Sequence, residues 1–362
     1  MGRMFTAALL VLALAACGSS GAPLPSDVAR PSATPTPVKA APPSTPTAPS
    51  EPVPSASYEP GEHPATGLAL VQFPGGSDDP ASQVFVVEAD GSLRQVTGLS
   101  TAMPGANVPV WSPDRSQIAF HGPKVGSVGV KGQVAVVNAD GSGERQVSEG
   151  YSPLWSPDGS RLLLEEVDDV TSEPPSMYLV DPATGELTDL GQGFDPKWVA
   201  DGETISFHRI VELADGAFTS ALFTMSLAGG EPTELARETE AFWSPDGSAV
   251  LLAHDGTISL AAPDGSDQRV LVDGFAPAWS PDGSSVVFAY DFDQDATPIL
   301  ALVDLEGDEL WSGVAGSVPT WSPDGSRIAI EVPYPQPKIQ VLDASSGEVL
   351  WEVEGSAPAW GS

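Results

Sequence analysis

The sequence predicts an all-β fold: a seven-bladed β-propeller with four-stranded blades, closed by N- and C-terminal strands that share one blade. Three observations predict it. A Trp-Ser-Pro-Asp-Gly-type motif recurs with steps of 44, 43, 45, 36 and 42 residues, at Trp111, Trp155, Trp198, Trp243, Trp279 and Trp321. A period near 40 with turn residues at fixed offsets marks an array of repeated supersecondary units. Between the motifs lie short alternating or β-branched runs bounded by Gly, Pro and Asp, with no helical periodicity of useful length. Finally, the two ends of the array are complementary fragments of one unit.

Taken in order, residues 1–17 read as an address. Arg3 supplies a positive start, Phe5 to Ala16 is a short apolar run, and the segment ends in Leu14-Ala15-Ala16-Cys17-Gly18. This is the layout of a secretory signal, shorter than a membrane-spanning helix. Its last residues resemble the bacterial lipobox, whose Cys is lipidated and becomes the new first residue. Cys17 is the only cysteine of the chain and stands where that motif needs it. Position 18 is Gly rather than Asp, so an inner-membrane retention signal is not apparent. The expectation is a protein held by several acyl chains on the extracytoplasmic face of the cell membrane.

Residues 18–65 are rich in Pro, Ser, Thr and Ala, with Tyr58 their one aromatic residue. Such a segment buries too little apolar surface to repay the entropy of ordering, so it is expected to be a disordered linker. Its prolines favour extended polyproline II, and 48 residues reach on the order of 100 Å or more at about 3.1 Å per residue.

The propeller is expected over 66–362. Residues 277–316 show one unit well: PAWS, a Pro281-Asp282-Gly283 turn, then SSVVFAY, PILALVDL and ELWSGVA. In the turn, Pro sets φ at the first corner, Asp bonds its own backbone, and Gly takes the left-handed position. The motif pairs Trp111/Asp114, Trp155/Asp158, Trp198/Asp201, Trp243/Asp246, Trp279/Asp282 and Trp321/Asp324 are expected to be structural, the Trp packing between blades and the Asp satisfying turn amides. Before Trp111 stand three strand-like runs, 67–73, 83–89 and 93–98, without a Trp-bearing first strand. At the other end, Gly355-x-x-Pro358-x-Trp360 repeats the lead-in of complete units, such as Gly150-x-x-Pro153-x-Trp155, and stands alone. Joining the two fragments completes a seventh blade and removes the open sheet edges that invite aggregation.

These residues resemble the TolB-like repeat, the WSPDG-type relative of WD-repeat propellers, over about 67–362. Trp198-Val-Ala-Asp-Gly and Trp360-Gly-Ser depart from the motif. The resemblance implies the propeller fold and leaves function open.

Composition narrows the partners. The chain carries 15 Lys+Arg against 49 Asp+Glu, a net charge of −34. With Arg3, Arg30, Lys39, Asp27, Glu51, Glu59 and Glu62 set aside, 12 basic and 45 acidic residues remain. Such a domain repels nucleic acid and anionic lipid and favours basic partners or cations. One cysteine excludes an intramolecular disulfide and any multi-cysteine zinc site.

His121, His208 and His254 each end a second strand, on the face opposite the WSPDG turns. Acidic residues take comparable places at Glu165, Glu166, Asp291 and Glu331. Asp291-Phe-Asp293-Gln-Asp295 has the opening spacing of a calcium loop, but Ala296 and Leu302 stand where an EF-hand needs Gly and Glu. A transition metal at the His-carboxylate rim, or calcium at Asp291, Asp293 and Asp295, is the chemistry these residues allow. The sequence lacks a Gly-x-Ser-x-Gly elbow, an HExxH motif and a Gly-rich phosphate loop. The reading is therefore a non-catalytic, monomeric propeller without a cofactor, binding an envelope protein, peptide or glycan and not nucleic acid. A metal-dependent lyase or hydrolase is the alternative.

Overall fold

In the computed structural model, the described residues are 63–72, 82–98, 107–123, 132–166, 174–292, 297–332 and 337–360. They form 28 strands in seven four-stranded antiparallel sheets, and no described segment is helical. Cys17 and the segment 18–62 lie outside the described residues.

Blades 2 to 7 each take four consecutive strands, over Asn107–Glu149, Tyr151–Gln192, Phe194–Arg237, Glu240–Asp273, Phe275–Ala315 and Ser317–Glu354. Blade 1 is built from both ends of the array. Its first strand, Ser356–Ala359, pairs with Ala69–Gln72, followed by Gln83–Val87 and Leu93–Gln95. Ala69 faces Ala359 and Val71 faces Ser356 across that joint. The closure anticipated from the terminal fragments is therefore present.

Period-2 alternation places successive side chains of a strand on opposite faces, and here both faces are covered. In blade 6, Val286 and Phe288 pack with Leu251 and Ile258 of blade 5. Their neighbours Val287 and Ala289 pack with Ile328 and Ile330 of blade 7. The same division recurs around the ring, giving seven apolar clusters that each straddle one seam. The seam between blades 7 and 1 holds Ala329, Ile339 and Val341 against Leu68, Leu70 and Ala65. Ala65 is fully buried, so the folded part takes in the residues just before 66.

The motif residues perform the same tasks in blade after blade. Ser156 Oγ accepts the Arg161 N–H at 3.0 Å and donates to Asp158, whose carboxylate also accepts the Ser160 N–H at 3.0 Å. Equivalent bonds join Ser112 to Asp114, Ser244 to Asp246, Ser280 to Asp282 and Ser322 to Asp324. The Ser156 hydroxyl holds the Asp158 carboxyl down at about 2, and the Ser248 N–H does the same for Asp246. Ser156 is fully buried. Ser156→Ala should therefore strand the Arg161 amide and lower the unfolding free energy by about 1–2 kcal/mol, measured by urea titration at neutral pH.

The Trp indoles tie the ring together. Trp155, Trp198, Trp279 and Trp321 donate Nε1–H to the carbonyls of Val110, Leu154, Phe242 and Ala278. Each acceptor lies on the first strand of the preceding blade, just before that blade's own Trp. Trp243 donates instead to Ser206 Oγ at 2.9 Å. The buried Nε1 atoms of Trp111 and Trp360 have no hydrogen-bond partner among the described residues. Those two indoles flank blade 1, so the seams of the shared blade lack this bond and are crossed by others, from Ala357 N–H to Glu331 and from Arg94 to the Ala139 carbonyl.

Candidate ligand-binding face

The first strands line the middle of the ring, and six of them carry one distortion. Val108, Ser152, Asp195, Ala276, Val318 and Ala357 have φ between 47° and 50°. Each precedes the Pro of the Gly-x-x-Pro-x-Trp lead-in or its equivalent. Proline offers no N–H to the ladder, so pairing with the second strand shifts register there. Blade 5, whose first strand Glu240–Trp243 lacks that Pro, pairs with Val250–Ala253 without a shift.

Side chains from the preceding blade cap two of the bulges. The Asp195 N–H donates to Glu165 at 3.0 Å, and the Ala357 N–H donates to Glu331 at 2.9 Å. Burial pushes both carboxyls above their usual range, against the pull of the donated N–H. Glu165 and Glu331 stand ten positions after their motif Trp, and His121 and His208 hold the same place in blades 2 and 4. His121 is only 9% exposed and sits edge-on to Tyr151 of blade 3, with ring centres 5.8 Å apart. Burial lowers its pKa to about 4. His208 stacks on Phe194 at 5.5 Å, and its Nε2 lies 2.9 Å from the Thr239 carbonyl leading into blade 5. Four of the rim residues singled out from sequence thus join neighbouring blades.

His254 is different. It ends the second strand of blade 5 in an exposed hairpin, with Nδ1 2.5 Å from the Glu238 carbonyl and Nε2 3.3 Å from Asp255. The three histidines lie on blades 2, 4 and 5 and are not brought together. Among the described residues, no group of three or more His, Cys, Asp and Glu stands where it can hold a metal ion. Asp291 accepts the Phe292 N–H at 2.8 Å, while Asp293 and Asp295 lie outside the described residues.

The two faces of the ring differ in kind. The turn face repeats one motif. A depression of ≈ 340 Å³ on it, lined by Val199, Ala200, Trp243, Asp246 and Pro263, lies between blades 4 and 5, where Val-Ala of blade 4 replaces Ser-Pro. The opposite face carries the hairpins between second and third strands, and these vary. In blade 4 the strands Thr204–Glu212 and Phe218–Ser226 run nine residues each. In blade 5, Val250–His254 and Thr257–Ala261 run five each. Ile210, Phe218, Tyr290 and Phe292, all exposed, lie at the ends of tall hairpins on this face. They escaped motif-based reading because they belong to no repeat. The signal available was blade 4's alternation, which runs on past the point where other blades stop.

A closed ring of seven four-stranded repeats, with like turns on one face and individual hairpins on the other, defines a seven-bladed β-propeller. No family model matches the chain, and no curated protein matches it. Solved structures share the fold. TolB from Acinetobacter baumannii is similar over 83% of this chain and 67% of its own, with 18% identity and a TM-score of 0.50. An oligogalacturonate lyase from Vibrio parahaemolyticus is similar over 79% of this chain and 86% of its own, with 18% identity and a TM-score of 0.54. A prolyl endopeptidase is similar over 80% of this chain but only 50% of its own, with 13% identity and a TM-score of 0.58. The fold is thus a TolB-like β-propeller, shared by proteins of different activities.

Proposed function

We propose that this protein is a lipid-anchored, extracytoplasmic propeller that binds a protein, peptide or glycan at the cell envelope without chemistry of its own. Cys17 carries the anchor, the Pro-rich segment sets the propeller off from the membrane, and the monomeric ring presents the ligand face. The observation that carries this reading is the contrast between faces. Repeated turns serve the fold, while residues particular to one blade carry specificity, and the hairpin face is where blades differ and exposed apolar side chains stand among carboxylates.

Two experiments test it. Cys17→Ser should abolish incorporation of labelled palmitate and move the protein from the membrane to the soluble fraction. An unchanged membrane fraction would remove the anchor from the proposal. Metal analysis of the purified propeller, with His121, His208 and His254 changed to Ala in parallel, tests the absence of metal chemistry. Stoichiometric metal lost in the triple variant would replace this reading with the metal-dependent lyase or hydrolase.

A further inference from the structure

The heights of three adjacent hairpins build a trench. Counted from the motif Trp, the second strand of blade 4 ends at Glu212, fourteen positions after Trp198; that of blade 5 ends at His254, eleven positions after Trp243. Three residues of strand amount to a step of about 10 Å. Blade 5 stays low because Asp255-Gly256 closes its hairpin at once, with φ of 47° and 76°. Two consecutive left-handed residues make the tightest hairpin turn.

The direction of the blade 4 wall follows from register. Leu222 packs into blade 5 with Ala241, Val250 and Leu252. Ser220 and Phe218 alternate with it on the same strand face, and Ile210 and Glu212 are their partners across the hairpin. This face therefore looks over blade 5, which is too short to cover it, and Ile210 is 59% and Phe218 55% exposed. On the other side, Phe288 of blade 6 packs against blade 5. Tyr290, 42% exposed, lies 6.4 Å from it between ring centres. Blade 5 is thus the floor between the apolar face of blade 4 and the Tyr290 ring, which stands at the bulge between Ala289 and Asp291.

The floor is acidic. Glu240, Asp255 and Asp273 occupy the strand ends that form it. Glu238 stands at its edge in the link from blade 4, its carboxylate accepting the Thr219 hydroxyl at 2.7 Å, and Glu212 adds a carboxylate from the wall. Arg237 and Lys197, which border it, are engaged with Glu234 and with Asp195. An apolar groove with a surplus of carboxylates, in a domain with 45 acidic and 12 basic residues, complements a ligand that brings both apolar and cationic side chains.

Building on the reading of this face as a binding surface, we infer that the trench over blade 5 takes a basic, amphipathic segment of a partner polypeptide. Its apolar side chains lie against Ile210, Phe218 and Tyr290, and its Lys or Arg side chains pair with Glu212, Glu238 and Asp255.

The test uses the purified full chain and short fluorescent peptides in a polarisation titration. The probes are a Lys/Leu alternating peptide, a Lys/Ser peptide of equal charge and a Glu/Leu peptide. The Lys/Leu peptide should bind best, and Ile210→Ser with Phe218→Ser should weaken it at least about tenfold with an unchanged melting temperature. Glu238→Gln with Asp255→Asn should weaken it and flatten its salt dependence. Leu310→Ser, which removes another exposed apolar side chain outside the trench, should leave binding unchanged. Equal binding of the Lys/Ser peptide, binding of the Glu/Leu peptide, or insensitivity to the Ile210/Phe218 pair would overturn the inference. So would a wild-type dimer dissolved by that pair, which would assign the trench to a second copy. None of these results bears on membrane release by Cys17→Ser, so failure of the trench and failure of the anchored-module reading are separately visible.

Discussion

A chain ending at Glu354 should melt at least roughly 10 °C lower than the full chain and form soluble aggregates. The cut removes Ser356–Ala359, the first strand of blade 1, and Trp360, which packs at the seam between blades 7 and 1. Leu70 and Val71, fully buried in the closed ring, lose one side of their surroundings, and Ala69–Gln72 becomes an open edge. A loss on the order of 5 kcal/mol follows from uncovering buried aliphatic side chains at both seams of one blade. The cut also removes the Ala357 N–H bond to Glu331 across the seam with blade 7, where the Trp360 indole makes no bond like those of Trp155, Trp198 and Trp279. Gly355→Val offers a milder version at full length. Gly355 has φ of 147°, and a Cβ there would meet the Val71 carbonyl oxygen at 2.9 Å, so this variant should lose stability in the same seam. Calorimetry and size-exclusion chromatography read both outcomes. Equal melting of the shortened and full chains would mean that the ring does not depend on its terminal joint.

The second large effect concerns acid. His121 is buried and its pKa falls from 6.5 to about 4. The fold therefore prefers the neutral ring, while the unfolded chain takes up a proton near 6.5. The stability this contributes is complete above pH 6.5 and drains away as pH falls from 6.5 towards 4, reaching roughly 3 kcal/mol. Glu165 and Glu331 have the opposite sign. Their raised carboxyl pKa favours the protonated form in the fold, so their contribution is present at low pH and is lost as pH rises through the raised value. Asp158 and Asp246, held at about 2, lose their contribution only below the ordinary carboxylate range. Comparing the wild type with His121→Gln and His121→Phe isolates the histidine. The stability difference between wild type and either variant should shift against the wild type by roughly 3 kcal/mol between pH 7 and pH 4, read from urea midpoints. A difference independent of pH would show that His121 takes up its proton as readily in the ring as in the unfolded chain.

Much of the fold was legible because a repeat writes the same local solution many times. Ser-Pro-Asp-Gly is a turn in any context, and alternating runs between such turns can only be short strands. Trp360 with its Gly-x-x-Pro lead-in, set against a first unit lacking both, showed where the ring joins. The rim was less legible. His121, His208, Glu165 and Glu331 were visible as variable residues at equivalent positions, and metal binding was the alternative that their side chains allowed. Spacing along the chain does not reveal that these side chains turn towards the next blade's first strand. There, Pro-induced bulges leave amides at Asp195 and Ala357 for the two carboxylates.

The sequence by itself determined the blade count, the strand order within each blade and the joint between the chain ends, since these follow from local turn chemistry and from matching fragments of one repeat. Tertiary structure alone decided which faces meet and which stay open. Ile210 and Phe218 are ordinary strand residues until a tall blade 4 stands beside a blade 5 cut short by Asp255-Gly256. Exposure there depends on the difference in height between neighbours, and that is a property of two blades packed together rather than of either segment alone.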